Sequence, residues 1–217
     1  VYHRVGRLDE AEVILVENLE MNQRMFATEV HGSLSRAYMN LATLYADLGR
    51  HEEAAELMEV GYPVSVEALG ARHPRTAIHL AATALARQRV GDPAGATSAM
   101  DEAYGISLEG FGEGSRGHER IVYFRGRLAT LQGDHEAAVP DLERWLAYNR
   151  ERFGEVHPSI AEALYWLGEA RLLAGEHEVA ATHFEASVAT YDQVFGPGHF
   201  GAELSRLGRA RARAETP

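Results

Sequence analysis

The stretch Asn40-Leu41-Ala42-Thr43-Leu44-Tyr45-Ala46-Asp47-Leu48-Gly49-Arg50-His51-Glu52-Glu53-Ala54 decides the fold. Its glycine recurs as Gly91, Gly133 and Gly175, and its last alanine as Ala96, Ala138 and Ala180, each 42 residues after the one before. A fixed period of this length marks one helical hairpin copied and stacked, because a single hairpin cannot bury its own apolar face. Ahead of the glycine, Tyr38, Leu41, Ala42 and Tyr45 stand at i, i+3, i+4 and i+7, which is one apolar helix face. The glycine supplies the left-handed residue that ends this first helix. A short polar entry then opens a second helix; in Asp92-Pro93 the aspartate is an N-cap and the proline takes the first helical position. The repeated alanine reads as the close crossing of the two helices. Met58, Met100, Leu142 and Phe184, again 42 apart, read as the side chains that pack against the first helix.

Outward from this unit, the second helix runs to Leu69-Gly70, Phe111-Gly112, Phe153-Gly154 and Phe195-Gly196. The chain then turns through His73-Pro74 and His157-Pro158, a corner relaxed to Ser115-Arg116 and His199-Phe200. Gly6 to Ala11 matches Gly49 to Ala54, so the chain is read as starting inside a unit, with one extra residue in the loop Ala27–Val30. The expected organisation is a single array over 1–217. It comprises a partial first unit 1–31, full units 32–73, 74–115, 116–157 and 158–199, and a terminal capping helix within 200–217. Arg206, Arg209, Arg211 and Arg213 on that last helix read as a solvated cap, with an anionic docking patch as the alternative. Pro63 and Pro140 fall inside second helices and are expected to bend or break them. The fold class expected is all-α, a right-handed superhelical solenoid of antiparallel helix pairs.

Composition bounds the function. The 217 residues are 46% hydrophobic and 24% charged, as in ordinary soluble proteins. No apolar run nears the roughly 20 residues that span a bilayer, and the start, Val-Tyr-His-Arg, has no secretory pattern. A cytoplasmic protein without membrane contact is expected. The absence of cysteine excludes disulfides and thiolate zinc sites. All 21 basic residues are arginine, which removes P-loop and Schiff-base lysines and, with abundant alanine and glycine, suggests a GC-rich bacterial source. A net charge of −11 argues against nucleic acid as a partner.

The sequence offers no catalytic constellation. His177-Glu178 followed by His183 resembles a zinc-protease helix only superficially, since the second histidine falls six residues on rather than four. Seven of the eleven histidines occupy two repeat positions: His51, His135 and His177 at helix starts, and His31, His73, His157 and His199 at corners. Gly110-Phe111-Gly112-Glu113-Gly114 follows no strand and is an ordinary inter-repeat corner. No nucleophile elbow or acid–base pair stands out, so no catalytic residue, metal site or cofactor is expected.

The quoted stretch, with Gly49-Arg50 and Glu52-Glu53-Ala54, resembles the tetratricopeptide repeat. The 42-residue step and the Phe/Leu-Gly-x-x-His-Pro corner are similar to the long repeat of kinesin light chains and many bacterial relatives. The resemblance implies that the first helix of each hairpin lines a concave groove that holds a peptide, the asparagine before Leu-Ala contributing. Asn40 matches; Ala82, Phe124 and Trp166 stand at the corresponding positions. Thr83 and Arg125 depart from the pattern, where a core leucine is expected. Arg125 requires either a carboxylate partner or a rotated helix.

Opposite the packing face of the first helices lie Arg36, Met39, Asn40 and Thr43, then Ile78, Ala81, Leu85 and Arg89. The next two units offer Arg120, Tyr123, Phe124 and Arg127, then Glu162, Tyr165, Trp166 and Glu169. Arginines and aromatics are the types enriched at interface hot spots. The candidate peptide-binding set is therefore Arg36, Asn40, Arg89, Arg120, Tyr123, Arg127, Tyr165 and Trp166. Phe124 and Trp166 have packing against the adjacent hairpin as their alternative. The function expected is a noncatalytic protein-interaction scaffold whose partner is an acidic, aromatic-containing segment. The alternatives are a self-assembly module, or a regulatory arm of a larger bacterial signalling protein, a kinase or nucleotide-switch ATPase, with its catalytic domain fused upstream.

Overall fold

Ten helices follow one another among the described residues, which in this computed structural model are 8–26 and 31–215; no strand occurs among them. They are α1 (Leu8–Met25), α2 (Gly32–Asp47), α3 (His51–Leu69), α4 (Pro74–Arg89), α5 (Pro93–Phe111), α6 (Arg116–Gln132), α7 (His135–Phe153), α8 (Pro158–Leu173), α9 (His177–Phe195) and α10 (Phe200–Ala214). The matches read at Gly6-Arg7 and in the loop 27–30 lie outside the described residues.

The turn inside each hairpin is the same cap made four times. Gly49, Gly91, Gly133 and Gly175 have φ between 74° and 86°, a backbone that a side chain would strain. The residue after each donates its N–H five residues back: Arg50 to Tyr45, Asp92 to Arg87, Asp134 to Ala129 and Glu176 to Arg171, at 2.8–3.0 Å. This satisfies carbonyls that a helix end leaves open. Asp92 and Asp134 then cap the next helix through the N–H of Gly95 and Ala137.

The corner between hairpins has its own device. Nδ1 of His31, His73, His157 and His199 accepts the N–H two residues on, from Ser33, Arg75, Ser159 and Gly201, at 3.0–3.2 Å. Ser115, where the corner is relaxed, caps through Oγ to the N–H of His118. Phe153 and Phe195 stack on His157 and His199, with ring centroids 4.1 and 4.4 Å apart, holding two of these rings in place. The histidines read as corner residues are thus also the N-caps of the helices that follow.

The helices group into two compact units divided between Phe124 and Arg125, inside α6. In the first, α1 packs on α2, α2 on α3, α3 on α4 and α4 on α5. In the second, α7 packs on α8, α8 on α9 and α9 on α10, while α10 also reaches α8. Adjacent helix pairs thus pack as stacked hairpins, the arrangement of an all-α solenoid.

Helix crossings are matched by size. Ala54, Ala96, Ala138 and Ala180 are all buried. Met58, in α3, shares a cluster with Ala42 of α2. Two periods later, in the second unit, the large partner is Leu142 and the small one Gly126, where an added Cβ would sit 2.9 Å from the Leu142 side chain. Next, Phe184 lies between Gly168 of α8 and Gly208 of α10; a Cβ on either would come within 2.7 Å of its ring. As the side chain on the second helix grows from Met to Leu to Phe, the residue facing it shrinks from Ala to Gly.

Pro63 and Pro140 do not break their helices, which run uninterrupted over His51–Leu69 and His135–Phe153. Both prolines are exposed. Glu59 and Glu136, four residues before them, are exposed as well, so the missing backbone bond falls on the solvent side of the helix, which lowers the cost of continuing it. Thr83, where a leucine was expected, is buried and donates its hydroxyl to the carbonyl of His79. The four arginines of α10 are not simply solvated. Arg206 holds Asp192 through two bonds of 2.8 and 3.0 Å and also meets Glu203. Arg209 and Arg213 reach Glu185, and Arg211 reaches Glu169, so α10 is tied back to α8 and α9.

Two predictions come from this packing. Gly168→Ala should cost about 1–3 kcal/mol by overpacking against Phe184, and Phe184→Leu in the same chain should recover part of it; urea melts check both. The second concerns His79, which is buried with Nδ1 2.9 Å from Ser35 Oγ. Burial lowers its pKa from the ordinary 6.5 to about 4. The unfolded chain therefore takes up this proton first as pH falls below about 6.5, and stability is lost between there and the folded value. Unfolding free energy should drop by about 2 kcal/mol from pH 7 to pH 5 on this account, and His79→Gln should flatten that slope.

Candidate functional site

First helices have one face committed to their neighbours and another left outward. In α2, Ala37, Leu41, Ala42 and Leu44 are buried, while Arg36, Asn40 and Thr43 are exposed and Met39 is half-buried. The Thr43 hydroxyl is bonded to the Met39 carbonyl of its own helix, which leaves Arg36 and Asn40 as the polar groups α2 presents. In α4, Arg89 is exposed and Ile78 half-buried, but Ala81 and Leu85, expected on the same face, are buried in the frame. The face of α4 is narrower than the helical wheel suggested because its small residues let neighbouring helices close over it.

The part of α6 in the first unit, up to Phe124, places Arg120 at the surface with its guanidinium 5.3 Å from the Phe124 ring centre. Phe124 and Tyr123 are buried, Tyr123 only 4% exposed, and their rings lie 5.9 Å apart. Arg120 thus lies over an aromatic base rather than standing alone in solvent, a favourable arrangement for a cation.

In the second unit, Arg127 of α6 lies half-buried 4.7 Å over the ring of Trp166, from α8. Trp166 is 9% exposed, and Tyr165 meets it edge-on at 5.5 Å. Glu162 is exposed on the same helix, and Glu169 is half-buried and paired with Arg211. Tyr165 is itself half-buried against Phe184. Of the eight candidates, then, Arg36, Asn40, Arg89 and Arg120 are exposed, Arg127 and Tyr165 are half-buried, and Tyr123 and Trp166 are enclosed. The structure brings Arg127, Tyr165 and Trp166 into one cluster.

Arg125 has the carboxylate partner that its position required. Its Nε and a terminal nitrogen donate to the two oxygens of Asp141 at 2.6 and 2.8 Å, a planar two-bond grip. Asp141 stands one residue before Leu142 on α7, so an ion pair occupies the edge of a helix crossing. Sequence reasoning did not single out Asp141. A further repeat device also went unread: Arg87 pairs with Glu59 and Arg171 with Glu143, the same two positions 84 residues apart. Arg50 grips Glu53 and Glu12 while lying 3.8 Å over the Tyr45 ring, which joins α1 to the α2–α3 turn. Three glutamates on α3, Glu52, Glu56 and Glu59, line a shallow depression with Arg87, Val90 and Asp92; their i, i+4, i+7 spacing was visible in the sequence.

Arg125→Leu restores the side chain the repeat prefers but leaves the nearly enclosed Asp141 carboxylate without its counter-charge. It should therefore destabilise the chain, by about 1–2 kcal/mol given that Arg125 is partly in solvent. Adding Asp141→Asn should recover part of the loss in urea melts. A neutral or stabilising Arg125→Leu would contradict this reading.

The family model for the tetratricopeptide repeat matches residues 33–109 and 119–193, most of the chain. No curated protein sequence matches it significantly. Among solved structures it is similar to BtubC (BKLC) from P. vanneervenii, with a TM-score of 0.66 at 18% identity, covering 96% of this chain and 84% of that one. It is also similar to a Podosopora anserina protein assigned as a kinesin light chain with nearly identical TPR-like repeats. There the TM-score is 0.61 at 23% identity, covering 85% of this chain and 88% of the other. No described helix is long and apolar enough to cross a membrane. The repeated caps, the size-matched crossings and the family match agree: the chain belongs to the tetratricopeptide repeat family, with repeats like those of kinesin light chains.

Proposed function

We propose that this chain is a noncatalytic, cytoplasmic scaffold that holds a peptide or a partner's helix on the outward faces of its first helices. The observation that carries this is the division of labour along α2. Its frame residues are buried against neighbouring helices, while Arg36 and Asn40 stand exposed on the opposite side with no structural role among the described contacts. Tetratricopeptide proteins generally bind proteins or peptides, and a rigid frame spares the ordering cost on one side of the complex. One short segment on such a face would bind at roughly micromolar strength, about −8 kcal/mol.

The charge on these faces selects the ligand. Arg36 and Arg89 on α2 and α4, Arg120 at the start of α6, and Arg127 over Trp166 supply guanidinium groups within a protein of net charge −11. Arginine grips a carboxylate through two parallel bonds, and an aromatic beneath it adds a stacking surface. An acidic segment containing an aromatic residue fits this chemistry, whereas a basic segment or nucleic acid does not. The test is a peptide array probed with the wild type and with the Arg36→Ala/Arg120→Ala/Arg127→Ala variant, its folding checked by circular dichroism. Acidic peptides should dominate the wild-type hits and weaken at least about tenfold in the variant, the equivalent of about 1.4 kcal/mol. Predominantly basic hits, or unchanged binding in the variant, would overturn the assignment.

A further inference from the structure

A polar contact runs through the apolar packing of the first unit. Ser35 of α2 and His79 of α4 are only 5% and 1% exposed, and Ser35 Oγ lies 2.9 Å from His79 Nδ1. The bond joins two first helices directly, although each of them also packs on α3. Room for the ring is made by α3. A Cβ added at Gly61 would sit 2.8 Å from His79 Cε1 and 2.6 Å from Tyr38 Cβ, so α3 presents bare backbone to both helices there. Tyr62, the next residue, meets the ring edge-on at 6.2 Å.

The stack does not need this pair in order to close. One 42-residue step on, the same two positions hold Ala77 and Ile121, both fully buried. Nor does the pair supply much stability. A buried hydrogen bond between neutral groups returns little more than the two groups lose on leaving water. His79 Nε2 is buried as well, with the Met58 carbonyl near it but no well-formed bond. What a hydrogen bond has and an apolar contact lacks is direction, so it fixes where α2 lies along and about α4. Ser35 precedes Arg36 and His79 follows Ile78, so the bonded residues adjoin the outward face of each helix. A segment lying on those faces meets Arg36 and Asn40 on α2 and Arg89 on α4 together, and its affinity depends on how α2 is set against α4.

We infer that Ser35 and His79 are positioning residues for the ligand face of the first unit, holding Arg36 and Asn40 in fixed relation to α4 without adding to stability. This rests on the reading of those faces as the binding surface. Both residues are enclosed, so they act through the helices they join rather than by touching a ligand.

The test replaces the pair with the apolar residues that the chain itself uses one step on, as Ser35→Ala/His79→Ile, and compares it with Thr83→Val. Thr83 is a buried hydroxyl on α4 bonded within its own helix, so losing it removes a polar group without unpinning two helices. Urea melts give the stability of each chain. Fluorescence anisotropy of a labelled Glu-Glu-Tyr-Glu-Glu peptide at neutral pH gives the affinity. The double variant should unfold at a midpoint equal to or above that of wild type, yet bind the peptide about fivefold more weakly. Thr83→Val should bind as wild type does. A wild type that leaves the peptide free would overturn the reading of the face, and this inference with it. A wild type that binds, beside a double variant that binds equally well, would overturn the inference alone. So would a double variant whose midpoint falls below wild type, because the pair would then hold the fold, or a Thr83→Val chain that loses affinity to the same extent.

Discussion

A large side chain on one helix facing an alanine or glycine on the next is the contact on which the remaining structure depends. Phe184 between Gly168 and Gly208, Leu142 against Gly126, and Met58 clustered with Ala42 are versions of it. Helices can approach this closely only where one of them has almost no side chain, and interiors at crystal-like density tolerate little error in that match. The turns are set to serve it. Left-handed glycines inside the hairpins, and histidine or serine caps between them, start and stop the helices at matching repeat positions.

That economy leaves surface uncommitted. Crossings made by small residues consume only one side of a first helix, and Arg36 and Asn40 on α2 stay exposed on the other. The second unit uses its surface differently. Arg127 lies on Trp166, Arg125 is locked to Asp141, and Glu169 meets Arg211. Aromatic and charged groups there are partly spent on holding the unit together.

The frame was legible in the sequence because a 42-residue period repeats both the stop signal and the small residue at the crossing. Two kinds of feature were not. Pro63 and Pro140 were expected to bend or break their helices, yet both helices run on unbroken with each proline on the wet side, and a proline's cost depends on whether the freed carbonyl can reach water. On the candidate faces a helical wheel placed Ala81, Leu85, Tyr123, Phe124 and Trp166 outward, whereas all five are buried. A wheel describes one helix; burial in a stack is decided by the helices on either side. Arg125 lay between these cases. Its need for a carboxylate was readable, but Asp141 could be named only once α6 and α7 were in contact.

The central claim is that first helices bind and second helices support. An NMR titration of the labelled chain with an acidic, aromatic-containing peptide addresses it directly. The account predicts that the shifted resonances belong to α2, α4, α6 and α8, with Arg36 and Asn40 among the largest changes. Shifts confined to α3, α5, α7 and α9 would contradict it.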